Sequence, residues 1–221
     1  MRCLVTAGPT GEPLDRVRRL TNFSTGRLGT RLAEHLAAAG HTVQLLRSET
    51  AVFRPPGPAV STVAFGSTAD LEAGLRAWRT SEPVAVFHAA AVSDFAFGAL
   101  WNLAGEGEPQ PVSGSKIASR GGRLLAELLP TPKILPQLRS WFPRGFLVGW
   151  KYETDGDRAR VVALGRAQLA EARTDACVVN GPGYGPGFGL VRPGMEPVEL
   201  AGEEALFRSL TTPLGGWLGD A

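Results

Sequence analysis

Short runs of apolar, β-favouring residues recur along the chain, separated by stretches in which apolar side chains return every three or four positions. The runs are RCLVT at 2–6, TVQLL at 42–46, VSTVAF at 60–65, VAVFHAA at 84–90, FLVGW at 146–150 and ACVVN at 176–180. Near-continuous apolarity suits strands covered on both faces, because neither set of alternating side chains then meets water. Leu28, Leu32 and Leu36 fall on one face of a helix that Gly40 ends, and Leu71, Leu75 and Trp78 repeat the pattern. This alternation predicts an α/β fold: a doubly wound, mostly parallel sheet with helices on both faces.

Two segments break the rhythm, residues 97–122 and the stretch NGPGYGPGFGLVRPGMEP from Asn180. Both are rich in Gly and Pro, which predicts loops, and long loops in a compact domain are usually functional or disordered. Residues 189–200 are expected to form a small hairpin and GEEALFRSL a closing helix. Neither a repeat nor a linker divides the chain, so residues 1–221 are expected to form one domain, with a loop region at 95–122 and a Gly/Pro-rich loop and hairpin at 181–202.

Composition narrows the function. With 221 residues, 43% of them hydrophobic, the chain can bury one sizeable core. A formal net charge of +2 with 20% charged residues is too small to argue for nucleic acid. No apolar run reaches the roughly 18 residues that cross a bilayer, and the N-terminus opens into RCLVTAGPT without a signal-peptide core, so a cytoplasmic protein without membrane contact is expected. Cys3 and Cys177 sit in apolar runs and read as small buried hydrophobes. His35, His41 and His88 lie apart from one another and from the cysteines, so no zinc spacing exists and a catalytic metal would arrive with a substrate.

The stretch NFSTGRLGTRLAEHL, from Asn22, reads as a helix start preceded by an amide and two hydroxyls. In open parallel sheets such starts aim free N–H groups at ligands beyond the carboxyl ends of the strands. Ser24 and Thr25 are placed to cap the helix, Gly26 and Gly29 to let an anion approach the backbone, and Gly8 to wall the same pocket. A capped helix with glycines for packing fits the stretch equally well. In HAAAVSDF, small residues end a strand and Asp94 stands at its rim, to bind a polar ligand group or to cap the next turn. His88 reads as a partnered strand-end residue rather than a base. Of 23 basic residues only Lys116, Lys133 and Lys151 are lysine, which points to a demand for a compact ammonium group at those positions.

Taken in order, LVTAGPTGEPLDRVRRLTNFSTGRLG, AAAVSDF, SKIASRGGRL, PTPKILPQLRSWFP, GWKYETD and DACVVN resemble phosphopantothenoylcysteine synthetase, over about residues 2–180. The forms NFSTGRLG, AVSDF and WKYETD are most similar to the free-standing synthetases rather than to those fused to a flavin decarboxylase, and no flavin is expected. The resemblance implies a ligase that joins 4′-phosphopantothenate to L-cysteine in coenzyme A biosynthesis. Its nucleoside triphosphate, CTP or ATP with Mg²⁺, gives an acyl-nucleotidylate and pyrophosphate, and the cysteine amine then displaces the nucleotide.

The resemblance also implies roles residue by residue. Gly8, Ser24, Gly26, Gly29, Trp150 and Asn180 would contact the nucleotide, with Trp150 stacking where relatives carry phenylalanine. Asn22, Ala90, Ala91 and Asp94 would receive phosphopantothenate or the acyl intermediate. Arg18 would reach the phosphate of a substrate in the neighbouring subunit, which makes the enzyme a homodimer with the 95–122 region at the dimer contact. Lys116, in the KI segment, would serve with Asn22 as a catalytic group, and Lys151 matches a lysine of the free-standing forms. Bacterial relatives carry further lysines where this chain has Ala118, Ser119 and RAQLAEART, so Arg166 or Arg173 would take over triphosphate neutralisation. The dipeptide KY before Glu153 leaves the base open, with CTP expected ahead of ATP.

Two other classes compete with this one. A Rossmann-like NAD(P) oxidoreductase needs GxGxxG after the first strand, and TAGPTGEP lacks that spacing; Tyr152 and Tyr184 have Gly156 and Phe188, not lysine, four residues on. A non-catalytic nucleotide-binding module would bind nucleotide without releasing pyrophosphate.

Overall fold

The computed structural model describes residues 1–103, 108–112, 114, 116–118 and 122–216. The first third runs through β1 (Arg2–Ala7), a hairpin of β2 (Gly11–Pro13) and β3 (Arg19–Thr21), α1 (Arg27–Ala38), β4 (Thr42–Ser48), β5 (Ser61–Phe65) and α2 (Thr68–Ala77). Next come β6 (Ala85–His88), β7 (Phe95–Leu103), β8 (Gln110–Pro111), β9 (Arg123–Pro130) and a 3-10 turn at Leu135–Gln137 that leads into α3 (Leu138–Trp141). The chain closes with β10 (Phe146–Tyr152), α4 (Arg158–Ala172), β11 (Ala176–Asn180), β12 (Phe188–Val191), β13 (Val198–Leu200) and α5 (Glu203–Gly216).

Eight strands form the main sheet in the order β13-β12-β11-β10-β6-β1-β4-β5. All pairings from β11 to β5 are parallel, and the β12–β13 hairpin adds two antiparallel strands at one edge. Each apolar run named above lies in one of these strands. Alternation along β1 sends Cys3, Val5 and Ala7 to a core shared with α1 and α5, and Leu4 to the opposite core with α2 and α3. Helix α4 packs over Cys177 and Val179 through Val161 and Leu169. Both thiols are fully buried and unbridged, and burial pushes their pKa values up to about 12, so they are inert core residues.

Two expectations need correction. The run at 60–65 is an edge strand with only Phe65 of β5 buried, so its apolarity does not signal two covered faces. Residues 97–122 are not simply loop: β7 pairs antiparallel with both β8 and β9, with an irregularity between Phe97 and Leu100. Every residue of β9 is exposed and none of β7 is fully buried, so ladder hydrogen bonds rather than a burial pattern define this ribbon, and no hydropathy period announces it. Ser119 lies outside the described residues. The expected hairpin and closing helix are present as β12–β13 and α5.

From β1 the chain adds β4 and then β5 on one side, and it returns to place β6 and β10 on the other. The strand order therefore reverses between β1 and β6. At such a point the two following connections diverge and leave a crevice at the carboxyl ends of the strands.

Candidate active site

Two straps leave the sheet at this reversal, one after β1 and one after β6, and backbone hydrogen bonds lock them together. The Ala91 amide donates to the Gly8 carbonyl at 3.0 Å, and the Ala91 carbonyl accepts from the Thr10 amide at 3.0 Å. That carbonyl also accepts from the Asn22 carboxamide nitrogen at 3.2 Å. Gly8, Asn22 and Ala91 are thus gathered at one rim, with Ala90 and Asp94 on the same strap after β6. Beneath them is a buried polar network: Thr68 donates to Glu12 through its amide at 2.9 Å and its hydroxyl at 2.7 Å, and the Ser93 amide donates to the Thr10 hydroxyl at 2.8 Å. Glu12 and Thr68 are each almost fully buried, so this network ties the start of α2 to the strap after β1.

Helix α1 begins at the same rim, but its start is not capped as expected. Gly26 occupies the N-cap in a left-handed conformation at φ 78°, and no side chain caps it. The Thr25 hydroxyl accepts only a 3.3 Å bond from the Arg27 amide, while the Ser24 amide donates back to the Asn22 carbonyl at 2.9 Å. The left-handed turn requires glycine and excludes the usual side-chain cap geometry. The first turn carries no acidic residue and no side-chain cap, and Glu203 reaches it only as the partner of the Arg27 guanidinium, so the positive end of the helix is available to an anion. Gly29 has a different role from the one expected. A Cβ there would stand 2.7 Å from both the Ala7 Cβ and the Thr6 carbonyl, so this glycine lets α1 press onto β1.

His88 is 6% exposed, and its Nδ1 lies 3.1 Å from the Thr6 hydroxyl, which in turn accepts from the Ala90 amide at 3.0 Å. Burial lowers its pKa to about 4, so it is neutral near pH 7 and acts as a strap anchor, as its sequence context suggests. Asp94 does not cap the next turn; its carboxylate pairs with Lys133, both side chains being largely exposed. Lys133 was singled out only by the scarcity of lysine.

Trp150 lies two residues before the end of β10, in register with Val178, while Asn180 ends the neighbouring parallel strand β11, in register with Tyr152. The Trp150 ring packs against the core shared with α1 and α5, and its indole N–H is buried without an acceptor among the described residues. Lys151 pairs with Glu153 at 2.9 Å. The Gly/Pro run after Asn180 folds back onto this strand end, with the Gly183 amide donating to the Glu153 carbonyl at 3.0 Å.

Arg18 closes the β2–β3 turn, bonded to Asp15 and, through Nη2, to the Ile117 carbonyl at 2.8 Å. Lys116 is exposed and makes no hydrogen bond or ion pair among the described residues. Arg166 and Arg173 are not at the crevice. Because α4 leaves the carboxyl end of β10 and returns to the amino end of β11, its last turns lie at the opposite edge of the sheet. There both arginines line a groove of about 490 Å³ with Arg192, and the Arg173 carbonyl accepts from Arg139 at 3.0 Å. Among the described residues no group of three or more His, Cys, Asp or Glu is placed to hold a metal.

A doubly wound sheet whose strand order reverses beside an uncapped helix start is the arrangement in which α/β proteins of this class place their ligands. Over residues 1–193 the chain matches the model of the DNA/pantothenate metabolism flavoprotein C-terminal domain, and it belongs to that family. It is 33% identical over 180 residues to the coenzyme A biosynthesis bifunctional protein CoaBC of Thermococcus kodakarensis, covering 81% of this chain and 41% of that one. It is 32% identical to human phosphopantothenate–cysteine ligase, covering 76% of this chain and 67% of the relative. The crystal structure of the DNA/pantothenate metabolism flavoprotein from Streptococcus pneumoniae superposes with a TM-score of 0.82 at 26% identity, over 98% of this chain and 99% of that one. The chain spans less than half the length of the first curated relatives it matches.

Proposed function

We propose that the chain is a phosphopantothenate–cysteine ligase, joining 4′-phosphopantothenate to L-cysteine with a nucleoside triphosphate as activator. The observation that carries this reading is the Asn22 carboxamide, held on the Ala91 carbonyl at the strand reversal, one short turn before the open start of α1. The name of the human relative supports the substrate pair.

In this reading the phosphates of the nucleotide meet the amides of the α1 start, where the absence of side chains at Gly8 and Gly26 lets the strap and the helix start seat against Ser48 and Ala51, and Trp150 and Asn180 border the base. Asn22 and the Ala90–Ala91 strap receive the carboxylate of phosphopantothenate. An oxygen of that carboxylate attacks the α-phosphorus and pyrophosphate leaves, giving a mixed anhydride. The cysteine amine then attacks the acyl carbon, the nucleoside monophosphate departs with the carboxylate oxygen, and the amide remains. A carboxamide suits this sequence because it offers both a donor and an acceptor without a charge that would oppose the substrate acid. Lys116 supplies an ammonium to the charge that develops on the phosphates. Mg²⁺ would enter on the nucleotide and would neutralise part of the phosphate charge there.

Nε and Nη2 of Arg18 are used inside its own chain, leaving Nη1 to meet the phosphate of a substrate held by a second copy. The β7–β9 ribbon, with Phe95, Leu124, Leu125, Leu128 and Leu129 exposed, supports the pairing of two copies. The enzyme is then a cytoplasmic homodimer that needs no flavin. No helix among the described residues is long and apolar enough to cross a membrane.

Steady-state rates with CTP and ATP side by side, followed through pyrophosphate, test the reading. Turnover with either nucleotide that requires both phosphopantothenate and cysteine supports it. Nucleotide binding without pyrophosphate release would make the chain a binding module.

A further inference from the structure

Among the described residues, Asp15 carries a concentration of hydrogen bonds that the proposed reaction does not explain. Its side chain is 0% exposed. One carboxylate oxygen accepts from the Val17 and Arg18 amides, each at 2.9 Å, and shapes the β2–β3 turn. The other accepts from Arg18 Nε at 3.1 Å and from the Ile117 amide at 3.1 Å. Arg18 Nη2 bridges this oxygen and the Ile117 carbonyl, so the amide and carbonyl of Ile117 are both held. The Ile117 side chain is 6% exposed although Lys116 and Ala118 on either side are exposed. The guanidinium and three amides hold the Asp15 carboxyl far below its usual range, so the charge behind these bonds is present at any working pH.

This one carboxylate therefore connects two segments 102 positions apart in sequence. On one side is the turn that leads through β3 to Asn22; on the other is the peptide next to Lys116. Four steps of extended chain lead from Arg18 to Asn22, about 13 Å, so both candidate groups are referenced to the same short hairpin.

We propose that Asp15 is a positioning residue: by clasping the Ile117 main chain to the β2–β3 turn, together with Arg18, it sets where Lys116 stands relative to Asn22. This rests on the reading of Lys116 and Asn22 as working groups of the ligase. A carboxylate that served only the hairpin would need its Val17 and Arg18 bonds and would have no use for Ile117.

The test is a double-mutant cycle with Asp15→Asn and Lys116→Ala, accompanied by hydrogen exchange at the Ile117 amide. Asp15→Asn keeps a turn acceptor and loses the charged clasp. It should lower kcat about tenfold with nucleotide KM unchanged, the scale expected for a misplaced catalytic group. It should also speed exchange at Ile117, whereas Lys116→Ala should leave that exchange unchanged. The double variant should be no slower than Lys116→Ala alone. Ile117→Pro removes the clasped N–H without touching the hairpin and should reproduce the kcat loss, which keeps the test valid if Asp15→Asn unfolds. Losses that multiply in the double variant, or unaltered Ile117 exchange in Asp15→Asn, overturn the positioning role. A Lys116→Ala enzyme at the parental rate overturns it too, and does so by removing Lys116 from the mechanism. A parent that makes no product at all would instead sink the ligase reading.

Discussion

The carboxamide nitrogen of Asn22 lies 3.2 Å from the carbonyl oxygen of Ala91, the same oxygen that the Thr10 amide reaches at 3.0 Å. One main-chain oxygen thus fixes the donor end of Asn22 and joins the straps that follow β1 and β6. Replacing Asn22 by Asp puts a carboxylate against that carbonyl and a negative charge where the substrate acid must sit. Asn22→Asp should lose on the order of 100-fold in kcat, the scale of a removed transition-state donor. Because Asn22 is exposed, its thermal midpoint should stay within a few degrees of the parent. Stopped assays and calorimetry on the same sample check both halves.

Sharing of the site between subunits makes a separate prediction. Arg18→Ala and Asn22→Asp proteins, each impaired alone, should regain activity when unfolded together and refolded, since one of the two sites in a hybrid dimer holds both native residues. Recovery approaching a quarter of the parental rate fits random pairing of equal amounts, roughly half hybrids each with one good site. Activity no greater than the average of the separate proteins would place Arg18 and the substrate in the same chain.

Gly29 tests how closely α1 must approach β1. Adding a methyl group there sets carbon against backbone at 2.7 Å, where only movement of the helix relieves the contact. Gly29→Ala should cost about 1–3 kcal/mol of stability, as overpacking does, despite alanine's better helix propensity. Urea unfolding measures it, and a stabilised variant would mean that the helix start has slack.

His88 should make stability depend on pH. Its folded-state pKa of about 4 lies below the ordinary 6.5, so between these values the unfolded chain binds more protons than the folded one. The stabilisation is complete above pH 6.5 and is lost as pH falls through that window, by about 3 kcal/mol once pH 4 is passed. Comparing urea midpoints of the parent and His88→Gln from pH 7 to 4 isolates this slope; parallel curves would show that His88 does not carry it.

The sheet was legible because burial writes a pattern. Val5, Leu45, Phe87, Val148 and Val178 all face a core, and each lies in an apolar run that has no other explanation. The edge strand β5 was legible as a strand but not as an exposed edge, and the β7–β9 ribbon was not legible, because a strand stabilised by its ladder with water on both sides needs no hydropathy period. At the site, the gathering of Asn22 with Ala91 was implied by the family resemblance, and the small residues that end β6 only made a close approach there possible. Asp15 left no comparable trace: an acid in a turn reads as an ordinary turn residue, and its contact with Ile117 spans the whole β4–β7 region of the chain. Arg166 and Arg173 were misassigned for a related reason, since composition gives the sign of a charge but not which end of a helix faces the crevice.

The route of one oxygen atom tests the central claim most directly. With phosphopantothenate labelled with ¹⁸O in its carboxylate, and with CTP or ATP, mass spectrometry of the products should find one labelled oxygen in the nucleoside monophosphate for each amide formed, and none in pyrophosphate. Label appearing in orthophosphate with release of the nucleoside diphosphate, or amide formed with no labelled nucleotide, would contradict attack by the carboxylate on the α-phosphorus at this crevice.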